Sequence, residues 1–137
     1  MYRTILVFGF LLCGFFSHSQ KTGDTKIVVE VRDTANLRNR VKWAFVELDF
    51  IVKDLPGDTL KTYPREYLND AYLIANAVIN TTQVVITGLW STRKVGLWSV
   101  STAPKNWKEV AYYKGCVEWR VLSVVAETIG KEITYGR

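Results

Sequence analysis

Two apolar, β-branched runs, residues 71–79 and 83–90, stand only three residues apart, and no other feature of the chain narrows its possible folds as much. Runs of this length, rich in Val and Ile, form strands, and the polar triplet Asn80-Thr81-Thr82 between them has room only for a tight connection. The two runs must therefore lie side by side as an antiparallel hairpin. The triplet also spells an N-glycosylation acceptor, but its position between two strands reads as a turn.

The elements around this hairpin follow from the same periodicities. Residues 26–32 alternate, with Ile27, Val29 and Val31 on one face, as a half-buried strand does. Asp33-Thr34-Ala35-Asn36 then offers capping side chains, and Leu37, Val41, Ala44, Phe45 and Leu48 recur at three- and four-residue spacing, which predicts an amphipathic helix. Val46, Leu48, Phe50 and Val52 alternate as well, so the helix should give way to a strand near Asp49. Leu55-Pro56-Gly57-Asp58 is a turn signal and pairs 50–53 with 59–63 in another hairpin, after which Pro64 marks an edge.

Beyond the central hairpin, residues 91–94 should turn the chain into a strand over 95–101. Pro104 and Asn106 then open a stretch in which Trp107, Val110, Val117, Val121, Leu122, Val125 and Ile129 share one helical face, as one helix or as two broken near Gly115. Gly130 ends it in the manner of a glycine after a helix, and 131–135 adds a short strand. The expected fold is α+β: a mostly antiparallel sheet of five to six strands with two helices packed on one face, in strand-helix-strands-helix order.

The chain has 137 residues, enough for one core, and 48% apolar with 23% charged residues is the balance of a folded domain. Its start has the pattern of a signal peptide: Arg3, an unbroken apolar run over 5–16, then Ser17-His18-Ser19. A cut after Ser19 divides the chain into a leader (1–19), a flexible lead-in (20–25) and a single domain (26–137). The apolar run is shorter than the ~20 residues that span a bilayer, so no stable membrane span is expected. An alternative is lipidation at Cys13, against which the bulky Leu12 argues. The expected location is periplasmic or extracellular.

Removing the leader takes away Arg3, Cys13 and the sole histidine, His18, leaving 17 Lys and Arg against 13 Asp and Glu, a net charge of +4. The charges are scattered, with no block of five or more, and argue for solubility more than for a nucleic-acid stripe, so no nucleic acid is expected as a partner. One cysteine, Cys116, remains and has no intramolecular disulfide partner.

A mature chain without histidine cannot assemble a Ser-His-Asp or Cys-His site, and it lacks clustered transition-metal ligands; no cofactor is expected. Lys114 and Arg120 would lower the pKa of Cys116 only if they faced it, and a small buried helix residue is the plainer reading. Glu47 and Asp49, Asp54 and Asp58 read as solvated or turn acids, with Glu118 and Glu127 on the polar face of the last helix. Residues 57–62 lack the glycine-lysine end of a phosphate loop. The five tryptophans, Trp43, Trp90, Trp98, Trp107 and Trp119, are explained first by core packing. Trp90 and Trp98 also flank Ser91-Thr92-Arg93-Lys94, and two exposed rings beside Arg93 and Lys94 would suit a glycan or a protein partner.

The leader ending Ser17-His18-Ser19 before Gln20, with a small domain behind it, resembles short exported proteins of Bacteroidetes-type bacteria. Over 26–135 the order of elements is similar to TATA-binding-protein-like and helix-grip domains of small envelope proteins, including accessory lipoproteins of outer-membrane assembly. That resemblance implies a fold and no activity. Asp33-Thr34-Ala35 and Asp58-Thr59-Leu60 are similar to the O-glycosylation triplets of such bacteria, and both also read as cap or turn. The expectation is a non-enzymatic interaction module of the cell envelope. It would hold an envelope protein partner or a glycan through Trp90, Arg93, Lys94 and Trp98, or a protein through an open sheet edge. The alternative is a carrier with a small apolar or glycan ligand between sheet and helices.

Overall fold

A computed structural model describes residues 19–53, 55–92 and 104–137. The leader up to His18, Cys13 included, the acid Asp54 and the expected strand over 95–101 lie outside these residues. The order is β1 (Lys26–Glu30), α1 (Leu37–Glu47), β2 (Val52–Lys53), β3 (Thr59–Thr62), β4 (Arg65–Leu68), β5 (Ala71–Ile79), β6 (Gln83–Thr92), β7 (Lys108–Glu109), α2 (Val117–Ile129) and β8 (Glu132–Gly136). The fold is α+β with a large antiparallel sheet, and its eight strands exceed the expected five to six because of the short β4 and β7.

The sheet runs β2-β3-β5-β6-β1-β8, every pair antiparallel. Its centre is the hairpin of β5 and β6, joined through 80–82, with Ala71 opposite Thr92 at one end and Ile79 opposite Val84 at the other. Ser91 and Thr92, expected in a turn, continue β6 because β5 is long enough to pair with them. Strict alternation puts Leu73, Ala75, Ala77, Val84 and Ile86 on the buried side with Ile27 and Val29. β3 and β4 follow one edge of β5 in turn. The register slips by a residue between Lys61↔Asn76 and Arg65↔Leu73, where Pro64 has no N–H to give, and the hydroxyl of Thr62 accepts the Ala75 N–H at 2.9 Å instead.

Both helices lie against the buried side. α1 turns Leu37, Val41, Ala44 and Phe45 inward, as its spacing predicts. It has no side-chain N-cap: Asn36 sits in the left-handed region at φ 52°, and Asp33 accepts the Ala35 N–H at 3.0 Å in a turn of its own. Asp49, at φ 63°, ends the helix side of the sequence and releases Phe50 into the core. Arg40 fastens the helices together, donating to the carbonyl oxygen of Asp33 at 2.6 Å and to that of Ile129 at the end of α2 at 3.3 Å. Arg38 clamps the turn between β2 and β3 through the carbonyl oxygens of Gly57 and Leu55.

The last helix is shorter than the pattern suggests. Trp107 and Val110 fit a helical period, but they precede α2 in extended backbone, between left-handed residues Asn106 (φ 60°) and Gly115 (φ 86°). The buried face of α2 is Trp119, Leu122, Val125, Ala126 and Ile129, and Val117 is turned outward. Gly130 ends α2 in extended backbone at φ −168°, not in the left-handed region. A glycine stands there for space: a Cβ would meet Val29 Cγ1 at 2.9 Å.

Candidate functional site

Two places on the molecule have the makings of a recognition site. One is the far margin of the sheet, at β8. The other is the Trp90 end of β6.

At the margin, the sheet's own alternation decides which backbone groups are spare. The Val31 N–H donates to the Thr82 carbonyl, so the odd residues of β1 bond toward β6 and the even ones, Lys26, Val28 and Glu30, toward β8. Their partners Gly136, Thr134 and Glu132 therefore point inward. Ile133 and Tyr135 point their N–H and C=O groups outward, where no described residue takes them.

The side chains of Ile133 and Tyr135 stand on the helix side, opposite Val29 and Ile27, yet among the described residues both are only half-buried. A groove remains there, lined by Gln20, Tyr112, Glu127, Lys131, Ile133 and Tyr135 among others. Behind it Trp119 stands against two tyrosines, with ring centroids 5.7 Å from Tyr112 and 6.0 Å from Tyr135. Tyr112 reaches this place through a non-local ladder: its N–H donates to Asp24 O at 2.8 Å, and its carbonyl accepts from the Gly23 N–H at 2.9 Å. The groove thus has an aromatic floor and a polar rim.

At the other place, Trp90 is half-buried on the helix side of β6, opposite Leu73, and Lys108 holds its ammonium 5.5 Å from the ring centroid. Ser91 is buried and donates to Lys105 O at 2.5 Å. The other residues of the expected site, Arg93, Lys94 and Trp98, lie outside the described residues. A cavity of about 50 Å³ next to Trp90 is lined by Val110, Ala111, Tyr113, Cys116 and Glu118. Room for little more than one or two waters suits no organic ligand.

Around that cavity is a hydrogen-bonded cluster that sequence reasoning missed. Glu118, expected on the polar face of α2, is half-buried; its carboxylate accepts from the Tyr67 hydroxyl and, at 3.3 Å, from the Cys116 thiol. Burial first, and then the Glu118 carboxylate, raise the pKa of the Tyr67 phenol. Burial likewise raises the Cys116 thiol, with Glu118 adding to it and the Trp119 amide opposing. Lys114 and Arg120 are both exposed. Cys116 is thus held as a protonated donor at the start of α2, the reverse of an activated nucleophile.

Among the described residues the other candidate acids do not converge. Glu47 is exposed on α1, while Asp49 and Asp58 are exposed at turns. Among the described residues no three His, Cys, Asp or Glu gather as metal ligands, and no helix is long and apolar enough to cross a membrane. No protein-family model, no curated protein and no solved structure matches the chain.

Proposed function

We propose that this chain is an exported, non-enzymatic interaction module of the bacterial cell envelope, and that it holds an extended protein segment at the outer edge of β8. One observation carries the reading: Ile133 and Tyr135 present backbone groups that no described residue takes, directly beside an aromatic groove. A bare edge is a template for another strand, and the neighbouring groove gives alternate side chains of that strand somewhere to go. The leader pattern at the start of the chain supports export.

The packing between sheet and helices favours this reading over a carrier. Gly88 stands opposite Ala75, and the notch made by these two small residues is occupied by α2: a Cβ on Gly88 would meet Leu122 Cδ1 at 2.9 Å and Val110 Cγ2 at 3.1 Å. A ligand between the layers would have to displace that contact.

The test is a native mass spectrum of the protein drawn from its own host's envelope, as wild type and as Ile133→Pro. Proline removes one outward N–H at a sheet edge, where it is tolerated. A stoichiometric protein companion on the wild type, lost from a folded Ile133→Pro variant, is the expected result. A lone polypeptide with a small-molecule adduct would overturn it in favour of the carrier. A companion retained by Ile133→Pro but lost from the Trp90→Ala, Trp98→Ala double variant would move the site to the other end of the sheet.

A further inference from the structure

The proposed edge also has a charge pattern. Ile133 and Tyr135 stand on the groove side of β8, Lys131 lines the groove just before the strand, and Arg137 follows the strand directly, so a cation flanks each end of the two apolar residues. Arg137 donates to Thr22 O at 3.3 Å, and Gln20 donates to the Tyr135 hydroxyl at 3.3 Å, so Lys21 lies beside the same end of the edge. On the opposite side of the sheet Glu132 is already matched, 2.7 Å from Arg32. Glu127, on α2, is the one acid among the described residues lining the groove.

These cations select among occupants. In a second copy the antiparallel register that engages both outward residues of each chain with each other sets Ile133 against Tyr135, and it then sets Lys131 against Arg137. Like charges directly opposite weaken a strand pair, and lysines at edges are a common guard against self-pairing. A foreign strand with the complementary pattern meets the reverse situation. Resting on the interaction-module reading, we infer that the β8 edge binds an extended segment of a partner protein with the sequence character acidic-x-apolar-x-apolar-x-acidic. Its acids lie opposite Lys131 and Arg137, and its apolar side chains lie beside Ile133 and Tyr135 over the groove.

The probes are two synthetic peptides with blocked ends, Asp-Thr-Val-Thr-Val-Thr-Asp and its twin with Lys at both ends. They are titrated at low salt into the ¹⁵N-labelled protein, produced from the full chain with its leader. The acidic peptide should shift the Ile133 and Tyr135 amides and the basic twin should not. Reversing both cations, Lys131→Glu with Arg137→Glu, should weaken the acidic peptide by roughly tenfold and admit the basic one. Equal binding of both peptides would overturn the acidic specification while leaving the edge as the site. Silence at both amides with either peptide, alongside an envelope companion that Ile133→Pro fails to displace, would overturn the edge itself. A protein whose mass doubles with concentration and whose Thr134→Cys variant crosslinks to itself would put a second copy there and also overturn the inference.

Discussion

β6 and β8 are the two neighbours of β1, and they meet opposite surroundings. β6 brings Gly88 beneath Leu122 so closely that the two layers touch without room for a methyl group, and Val84 and Ile86, which precede it on the same face, are fully buried. β8 carries Ile133 and Tyr135 on the same face, but among the described residues these stay half-buried, and no described residue takes its outer backbone groups. One strand therefore contributes stability and the other leaves a surface that can still pair. Unequal cover by the described helices produces this division without any special sequence, since α2 lies over β1 and β6 while the side chains of β8 stay half-buried at the margin.

The comparison can be broken hardest at Trp119, which belongs to both regions: it is 2% exposed at the core, and it backs the groove through Tyr112 and Tyr135. Trp119→Ala should destabilise the fold by about 3–5 kcal/mol, the usual cost of emptying a buried aromatic site, read as the shift of a denaturant midpoint. Its Nε1 is buried with no partner among the described residues, so Trp119→Phe should lose far less and should keep the groove's aromatic backing. A Phe variant as unstable as the Ala variant would show that the indole nitrogen has a role which packing does not describe.

A finer cut separates the two strands directly. Gly88→Ala forces a methyl group into Leu122 and Val110 and should cost about 1–3 kcal/mol as overpacking. Gly136→Ala, on β8, meets nothing within 4 Å, so it should be neutral or slightly stabilising, through the smaller freedom of its unfolded chain. Equal losses at the two positions would mean that the face of β8 away from the groove accepts a methyl group no better than the centre of the sheet does, and the contrast between the two strands would fail there.

The legible parts of this fold are those where one period dominates. The strands β5 and β6 alternate over their whole length with no competing spacing, and α1 repeats at three and four until Asp49 breaks it with a positive φ. Residues 107–116 misled because Trp107 and Val110 happen to share a helical face with Val117, while the backbone between them is set by Asn106 and Gly115. The short β4 and β7 exist only because long neighbours offer them hydrogen bonds, which no local pattern announces. The groove at β8 was legible only as a possible open edge. Tyr112 and Tyr135 meet across Trp119 through the bonds of Tyr112 to Gly23 and Asp24, and that pairing is entirely non-local. Glu118 was read as a surface acid since its charge suited the polar side of α2, and only the arrival of β4 brings Tyr67 over it.

The smallest expected effect comes from that same cluster, and its sign is fixed by the direction of the shifts. Cys116 has its pKa raised above the ordinary thiol value of 9.0, and Tyr67 above the ordinary phenol value of 10.0, so both are held protonated by the fold more firmly than in the unfolded chain. A group of this kind contributes its stabilisation in full below the unfolded pKa and loses it as the pH rises through the folded one. Stability should therefore be flat near neutrality with respect to these two groups and decline from about pH 9 upward, thiol first and phenol after. Cys116→Ala removes the first step, and Tyr67→Phe the second, from a series of urea midpoints measured between neutrality and high pH. The groove at β8 contains neither group, so capture of an extended segment there should survive Cys116→Ala unchanged at neutral pH. A capture that weakened in step with the thiol's ionisation would join the two ends of the sheet into one device and end the separation drawn between them.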